Sequence, residues 1–212
     1  MATYISVVAT DKVPDKEPRM VFALPLFQRE DDSWPVLPPA FRSYAEQGVT
    51  ERFTGKRGET LLLAADEGIT GEMVLLVGLG RHEKWSPEDI RGAVVAASEC
   101  AERRGMRRLV FSLQHLPSLD NRLVHFAAQG GFLSAYRFNR YQLDSRALEL
   151  KQIDLLVDTL EQGALEAVEE SRIISDWICE ARDWVNEPAN VCTPSYLAEQ
   201  ARGIAKRFGM DI

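Results

Sequence analysis

Histidine and cysteine are scarce in this chain of 212 residues, three of each, and that scarcity closes several routes to chemistry. His82, His115 and His125 fall on separate elements, with no Cys, Asp or second His at ligand spacing, so satisfied or surface histidines are expected rather than metal ligands. Cys100, Cys179 and Cys192 show no C-x-x-C spacing, which excludes a zinc knuckle and a disulfide framework. Cys100 and Cys179 lie in helical apolar patterns and are expected to be buried thiols of a reducing compartment. Gly-x-Ser-x-Gly, His-Glu-x-x-His and phosphate-loop patterns are all missing. Basic charge is short as well: Lys+Arg 25 against Asp+Glu 32 leaves a net −7, which disfavours a general nucleic-acid binder. No apolar run reaches the length of a bilayer span. Tyr4–Ala9 is too short for a secretory segment and runs into Asp11 and Lys12. A cytoplasmic location without membrane attachment is the expectation.

What is present is ordinary globular material, 45% hydrophobic and 27% charged, able to bury a real core. The length suits one domain plus an appendage. Strand and helix signals alternate, which argues for a layered α/β fold. Tyr4–Ala9 and Met20–Leu24 read as strands, the second ending before Pro25. Glu30, Asp31, Asp32 and Ser33 mark a hairpin or loop. Pro38 and Pro39 introduce a short helix, Ala40 to Gln47, closed by Gly48. Thr60–Ala65 and Met73–Val77 are continuous apolar runs, the pattern of central strands covered on both faces.

Ser86-Pro87-Glu88-Asp89 is a helix start, with a hydroxyl cap, a first-turn proline and first-turn acids. Ile90, Ala93, Val94, Ala97, Cys100 and Ala101 then form one apolar face, and Gly105 stops the helix. Arg108–Leu113 is the next strand. Asp120 caps a helix whose apolar face includes Leu123, Phe126, Ala127 and Phe132. Within it Gly130-Gly131 costs roughly 1 kcal/mol per glycine, which close packing against a neighbouring backbone would explain. Ile153–Val157 is the last strand. A long helix from Gly163 to Val185 follows, with Ile174, Trp177, Ile178, Ala181 and Val185 on its expected buried face. Asn186 to Asn190 breaks it around Pro188. Thr193-Pro194 starts a final helix, with Leu197, Ala201, Ile204 and Phe208 inward and Gly209 at its end.

Few constellations could carry chemistry. Gly78 and Gly80 follow a strand, where backbone amides can hold phosphate. The third glycine of a dinucleotide fingerprint is missing, and Glu83, Glu88 and Asp89 add repelling charge, so a structural turn is expected. Ser195 sits in a helix start, where its hydroxyl serves the first turn. Asp154, Asp158, Glu161, Glu166, Glu169 and Glu170 read as a solvated acidic edge, not an acid/base pair. Arg103, Arg104, Arg107 and Arg108 read as a solvated helix end and turn.

Three segments carry a family resemblance. They are Val74–Gly80 with the Ser-Pro-Glu helix after it; Gln129–Tyr141; and Arg182-Asp-Trp-Val-Asn186, Glu187-Pro-Ala-Asn190 and Thr193-Pro194 with Leu197-Ala198. In this order the chain resembles the leucyl aminopeptidases (cytosol aminopeptidases), departing at Gln129, where an acid is usual, and at Trp184, where leucine is usual. The resemblance implies an accessory amino-terminal domain of macrodomain-like, three-layer α/β fold, a central mixed sheet between helices, over residues 1–160. Residues 161–212 would then be a helical connector and the start of a truncated catalytic domain.

In that family, peptides lose amino-terminal residues through two divalent metals, zinc or manganese, that activate a bridging water. The ligands, one lysine, three aspartates and a glutamate, lie in later blocks such as Gly-Lys-Gly-x-Thr-Phe-Asp-x-Gly-Gly, a pattern this chain lacks. No catalytic, cofactor-binding or metal residue is therefore assigned to positions 1–212, and no activity is expected of this chain alone. The implied partners are its own catalytic domain and, in the parent, a homo-hexamer, with peptide substrate bound elsewhere. Two alternatives stay open: a nucleotide or ADP-ribose module at the loop after Val77, and a DNA-binding accessory domain using the arginine cluster.

Overall fold

The structure, a computed structural model, describes residues 5–29, 42–50, 53–65, 71–117, 120–142 and 147–212. Glu30–Ser33, the Pro38-Pro39 helix start and Tyr4 lie outside them. Six strands form one mixed sheet: β1 (Ser6–Thr10), β2 (Met20–Phe27), β3 (Thr60–Ala64), β4 (Met73–Gly80), β5 (Arg108–Ser112) and β6 (Gln152–Leu156). Their order is β1-β6-β5-β2-β4-β3. All neighbours are parallel except β3, which runs antiparallel to β4. The helices are α1 (Arg42–Thr50), α2 (Ile90–Arg103), α3 (Asn121–Ser134), α4 (Gln162–Asn186) and α5 (Pro194–Phe208). The main core joins one sheet face, through residues such as Val21, Leu75, Phe111 and Leu155, to α2, α3 and α4. On the opposite face Tyr44 and Ala45 of α1 pack with Leu24, Leu26, Val74 and Leu76. The result is the layered α/β arrangement expected from the alternation, in the three layers that the resemblance implied.

Several expectations are corrected in detail. β2 does not stop before Pro25 but continues to Phe27. Its even residues turn their backbone groups towards β4, as in Gln28 N–H to Gly80 O, and its odd residues towards β5, as in Arg107 N–H to Arg19 O. Pro25 thus directs its missing N–H to the β5 side, beyond Ala23↔Phe111, the last pair of that ladder. The proline sacrifices no sheet hydrogen bond there. α1 runs through Gly48 to Thr50, since a single glycine lowers helix stability without ending the helix. β3 is a half-buried edge strand, not a central one, whereas β4 is buried along nearly its whole length.

Local signals elsewhere act as read. The Ser86 side chain and the Asp89 carboxylate form a reciprocal capping box around Pro87. A short 3-10 turn leads from there into α2, and Gly105 at φ 67° ends that helix region. The Asp120 carboxylate accepts the Leu123 N–H at the start of α3. Gly130 allows α3 to approach α2 so closely that a Cβ there would lie 2.5 Å from the Arg91 carbonyl oxygen. In α3, Leu123 and Ala127 are buried as expected, while Phe126 and Phe132 are only half-buried.

Candidate functional site

The surface that stands out is built by α4 and α5. Ala164, Ala167, Ser171 and Ser175 recur at three- and four-residue spacing and form the buried stripe of α4. Small side chains let α4 lie close to α3, and the Ser171 hydroxyl reaches the His125 carbonyl at 2.7 Å. The larger apolar residues are consequently turned the other way. Ile173, Ile174, Trp177 and Val185 are exposed, Val185 to 84%. This overturns the expected buried face of α4: the stripe of large residues is not its core face. On α5 only Ala205 is buried, while Leu197 and Phe208 are exposed. That corrects the inward face expected for α5. Trp177 and Phe208 meet with ring centroids 5.8 Å apart, so the far end of α5 touches the side of α4. After α5, Met210 and Ile212 are exposed as well.

Beside this surface a polar cluster ties the end of α3 to the α4–α5 turn. The Tyr136 hydroxyl donates to Asp183 at 2.9 Å, and Asn186 Nδ2 donates to the Tyr136 oxygen at 3.0 Å. Arg182 lies over the Tyr136 ring, 5.5 Å from its centroid. Glu187 has a fully buried side chain. One of its oxygens accepts from Arg140 and the other from the Tyr141 hydroxyl. The hydrogen bond to Glu187, more than burial, raises the Tyr141 phenol above its ordinary value. Burial first, and then Asp183, raises the Tyr136 phenol. These residues stand inside the segments that carried the family resemblance, yet no role was assigned to any of them. The signal was two separated blocks with complementary arginine, tyrosine and acid content.

The residues singled out for chemistry are spread apart. Gly78 and Gly80 belong to β4 itself, and their amides are taken: Gly78 N–H donates to Glu59 O and Gly80 N–H to Gly55 O. A Cβ at Gly78 would sit 1.9 Å from the Lys56 carbonyl oxygen, so the glycine serves close chain packing. The ring of His82 meets Phe27 edge-on at 4.7 Å. His125 faces Glu170 across α3 and α4 at 3.7 Å. His115 holds a left-handed backbone, φ 69°, and burial depresses its pKa against the opposing charge of Asp158. Ser195 is exposed at the start of α5.

Asp154 corrects the reading of a wet acidic edge. It is buried in β6 and paired with Arg108 at 2.6 Å, and Arg108 also binds Glu17. A strand residue alternates faces, so its acid points into the layer where the helix-based reading put it in water. Arg108 is thereby withdrawn from the basic cluster, and Arg103 pairs loosely with Glu99. Cys100 is buried, but Cys179 is only half-buried, and burial raises its thiol pKa. Among the described residues no group of three or more His, Cys, Asp or Glu side chains is placed to hold a metal ion. The donor set of a dinuclear centre does not fit what these residues offer. No described helix is long and apolar enough to cross a membrane.

Residues 43–145 match the family description "Cytosol aminopeptidase family, N-terminal domain". A probable cytosol aminopeptidase of Syntrophotalea carbinolica is 32% identical over 171 residues, covering 76% of this chain and 34% of the relative. One from Nitrosococcus oceani is 33% identical over 167 residues, covering 74% and 32%. The chain spans about a third of the length of these curated relatives. Among solved structures, a tomato leucine aminopeptidase mutant superposes with a TM-score of 0.80 at 22% identity, over 98% of this chain and 43% of that one. A bottromycin maturation enzyme gives 0.67 at 23% identity, over 90% and 38%; at these identities both show the shared fold. The chain belongs to the cytosol aminopeptidase family and carries its amino-terminal domain.

Proposed function

We propose that this chain is the non-catalytic amino-terminal part of a leucyl aminopeptidase-like exopeptidase. Residues 1–160 form its accessory domain, and residues 161–212 connect to a catalytic domain that holds two divalent metals, zinc or manganese. The parent works in the cytoplasm as a homo-hexamer and removes amino-terminal residues from peptides.

The observation that carries this reading is the exposed apolar stripe of the connector, Ile173, Ile174, Trp177, Val185, Leu197 and Phe208, on a chain spanning a third of its relatives. Large side chains left outside the core and grouped on one surface mark an interface. The seat suits the remaining polypeptide, because the stripe lies on the segment that would continue into it. Metal activation of water belongs to the catalytic domain, and no residue of this chain is assigned a part in it.

The test is direct. The purified 212-residue chain, given zinc or manganese, hydrolyses no leucine amide, and chelator-sensitive turnover would overturn the reading. In a second arm, the emission of Trp177, isolated by replacing the other tryptophans with phenylalanine, shifts to the blue when the longer reading frame is expressed. An unchanged spectrum would remove the seat assigned to α4.

A further inference from the structure

We propose that Glu187 is the anchor of a clasp that sets the direction in which α5 leaves the α/β domain. Three observations meet there. The carboxylate is the last group before Pro188, and its side chain has no solvent exposure. Both of its oxygens are engaged by neighbours just after α3, Arg140 and the Tyr141 hydroxyl. These partners are 47 and 46 residues away in sequence, so the contact is tertiary and cannot arise from local helix propensity.

The turn that follows is short and internally bonded. The N–H groups of Val191 and Cys192 both donate to the Pro188 carbonyl, at 2.8 and 2.9 Å. The Thr193 hydroxyl then caps α5 by accepting the Tyr196 N–H. Residues 188–193 therefore leave little freedom between the anchored carboxylate and the first turn of α5. Arg140 also approaches Asp183, in the last turn of α4, at 4.0 Å. A buried carboxylate held this way is tolerable only while its cation stays in place, since losing one partner leaves an uncompensated buried charge. The arms of the clasp are accessible: Arg140 and Tyr141 are each more than half exposed. The device is thus a rigid joint with a charged lock, and it acts in this chain independently of the activity proposed above.

Hydrogen exchange of the intact chain, read peptide by peptide, tests it. Arg140→Met should accelerate exchange across 188–208 by about tenfold or more, with α2 and β4 unchanged. Adding Glu187→Gln to Arg140→Met should restore most of the lost protection, because the stranded charge is gone. Tyr141→Phe should give a smaller acceleration confined to the same segment. Unchanged exchange in α5 would overturn the proposal. So would acceleration spread evenly over α2, β4 and α5, or a double variant that is looser than Arg140→Met alone. Arg140 and Tyr141 lie at the surface, so their variants report even if a Glu187 variant does not fold.

Discussion

Replacing Gly130 with alanine pits two known effects against each other. In an ordinary exposed helix the change stabilises by about 1 kcal/mol through helix propensity. Here the new Cβ would stand 2.5 Å from the Arg91 carbonyl oxygen and 3.2 Å from two further backbone atoms of Arg91. The first distance is roughly 1 Å short of ordinary van der Waals contact. The obstacle is backbone, so no side-chain rotation relieves it, and α2 and α3 must separate. Overpacking of this kind costs about 1–3 kcal/mol, and a backbone collision belongs at the upper end. The net loss is then about 1–2 kcal/mol, which for a chain of this size lowers Tm by roughly 2–8 °C. Gly92→Ala is the matched control: it sits in α2 with nothing within 4 Å of the added atom and should raise Tm by about 2–4 °C. Thermal unfolding followed by circular dichroism reads both. If Gly130→Ala stabilises as Gly92→Ala does, the close-approach argument is wrong.

The buried Asp154–Arg108 pair predicts that Asp154→Ala lowers unfolding free energy by about 3 kcal/mol in urea titrations; a loss below about 1 kcal/mol would mean the pair is dispensable. Trp184 buries an indole N–H with no hydrogen-bond partner among the described residues. Trp184→Phe should therefore leave Tm unchanged or higher, and a clear drop would show that the N–H is satisfied. Burial depresses the His115 pKa in the folded state, so below about pH 6.5 the unfolded chain binds the extra proton first. Stability should then decline as pH falls from that value through the folded pKa. His115→Asn, which tolerates the positive φ, should flatten this slope, and an unaltered slope counts against it. Isothermal titration with ADP-ribose should give no heat at Gly78 and Gly80, whose amides are already bonded within the chain; saturable heat lost in a Gly80 variant would reverse that view.

Much of the fold was legible because its signals are local. A capping residue, a first-turn proline and a terminal glycine act within one turn, so Ser86, Asp120, Thr193 and Gly209 marked their helix ends directly. Runs such as Met73–Val77 disclosed a strand, since two covered faces leave no room for polar alternation. The family was also legible, because short blocks in fixed order survive in a linear text. Proline in a central strand was not, as its cost depends on where the neighbouring strand ends.

The chain's own letters settled that it is a layered α/β domain with helices at the carboxy-terminal end, and which family it joins; for Gly130-Gly131 they offered a close neighbour as a reason, which the structure supplies in Arg91. Tertiary structure alone decided which stripe of α4 turns inward, that Asp154 is buried beside Arg108, and that Glu187 meets Arg140 and Tyr141. The reason is physical. Hydrophobic periodicity says that a helix has two faces, but the distance to α3 chooses between them, and only small residues fit that gap. Contacts between residues more than forty positions apart likewise follow from how layers stack, which no local pattern encodes.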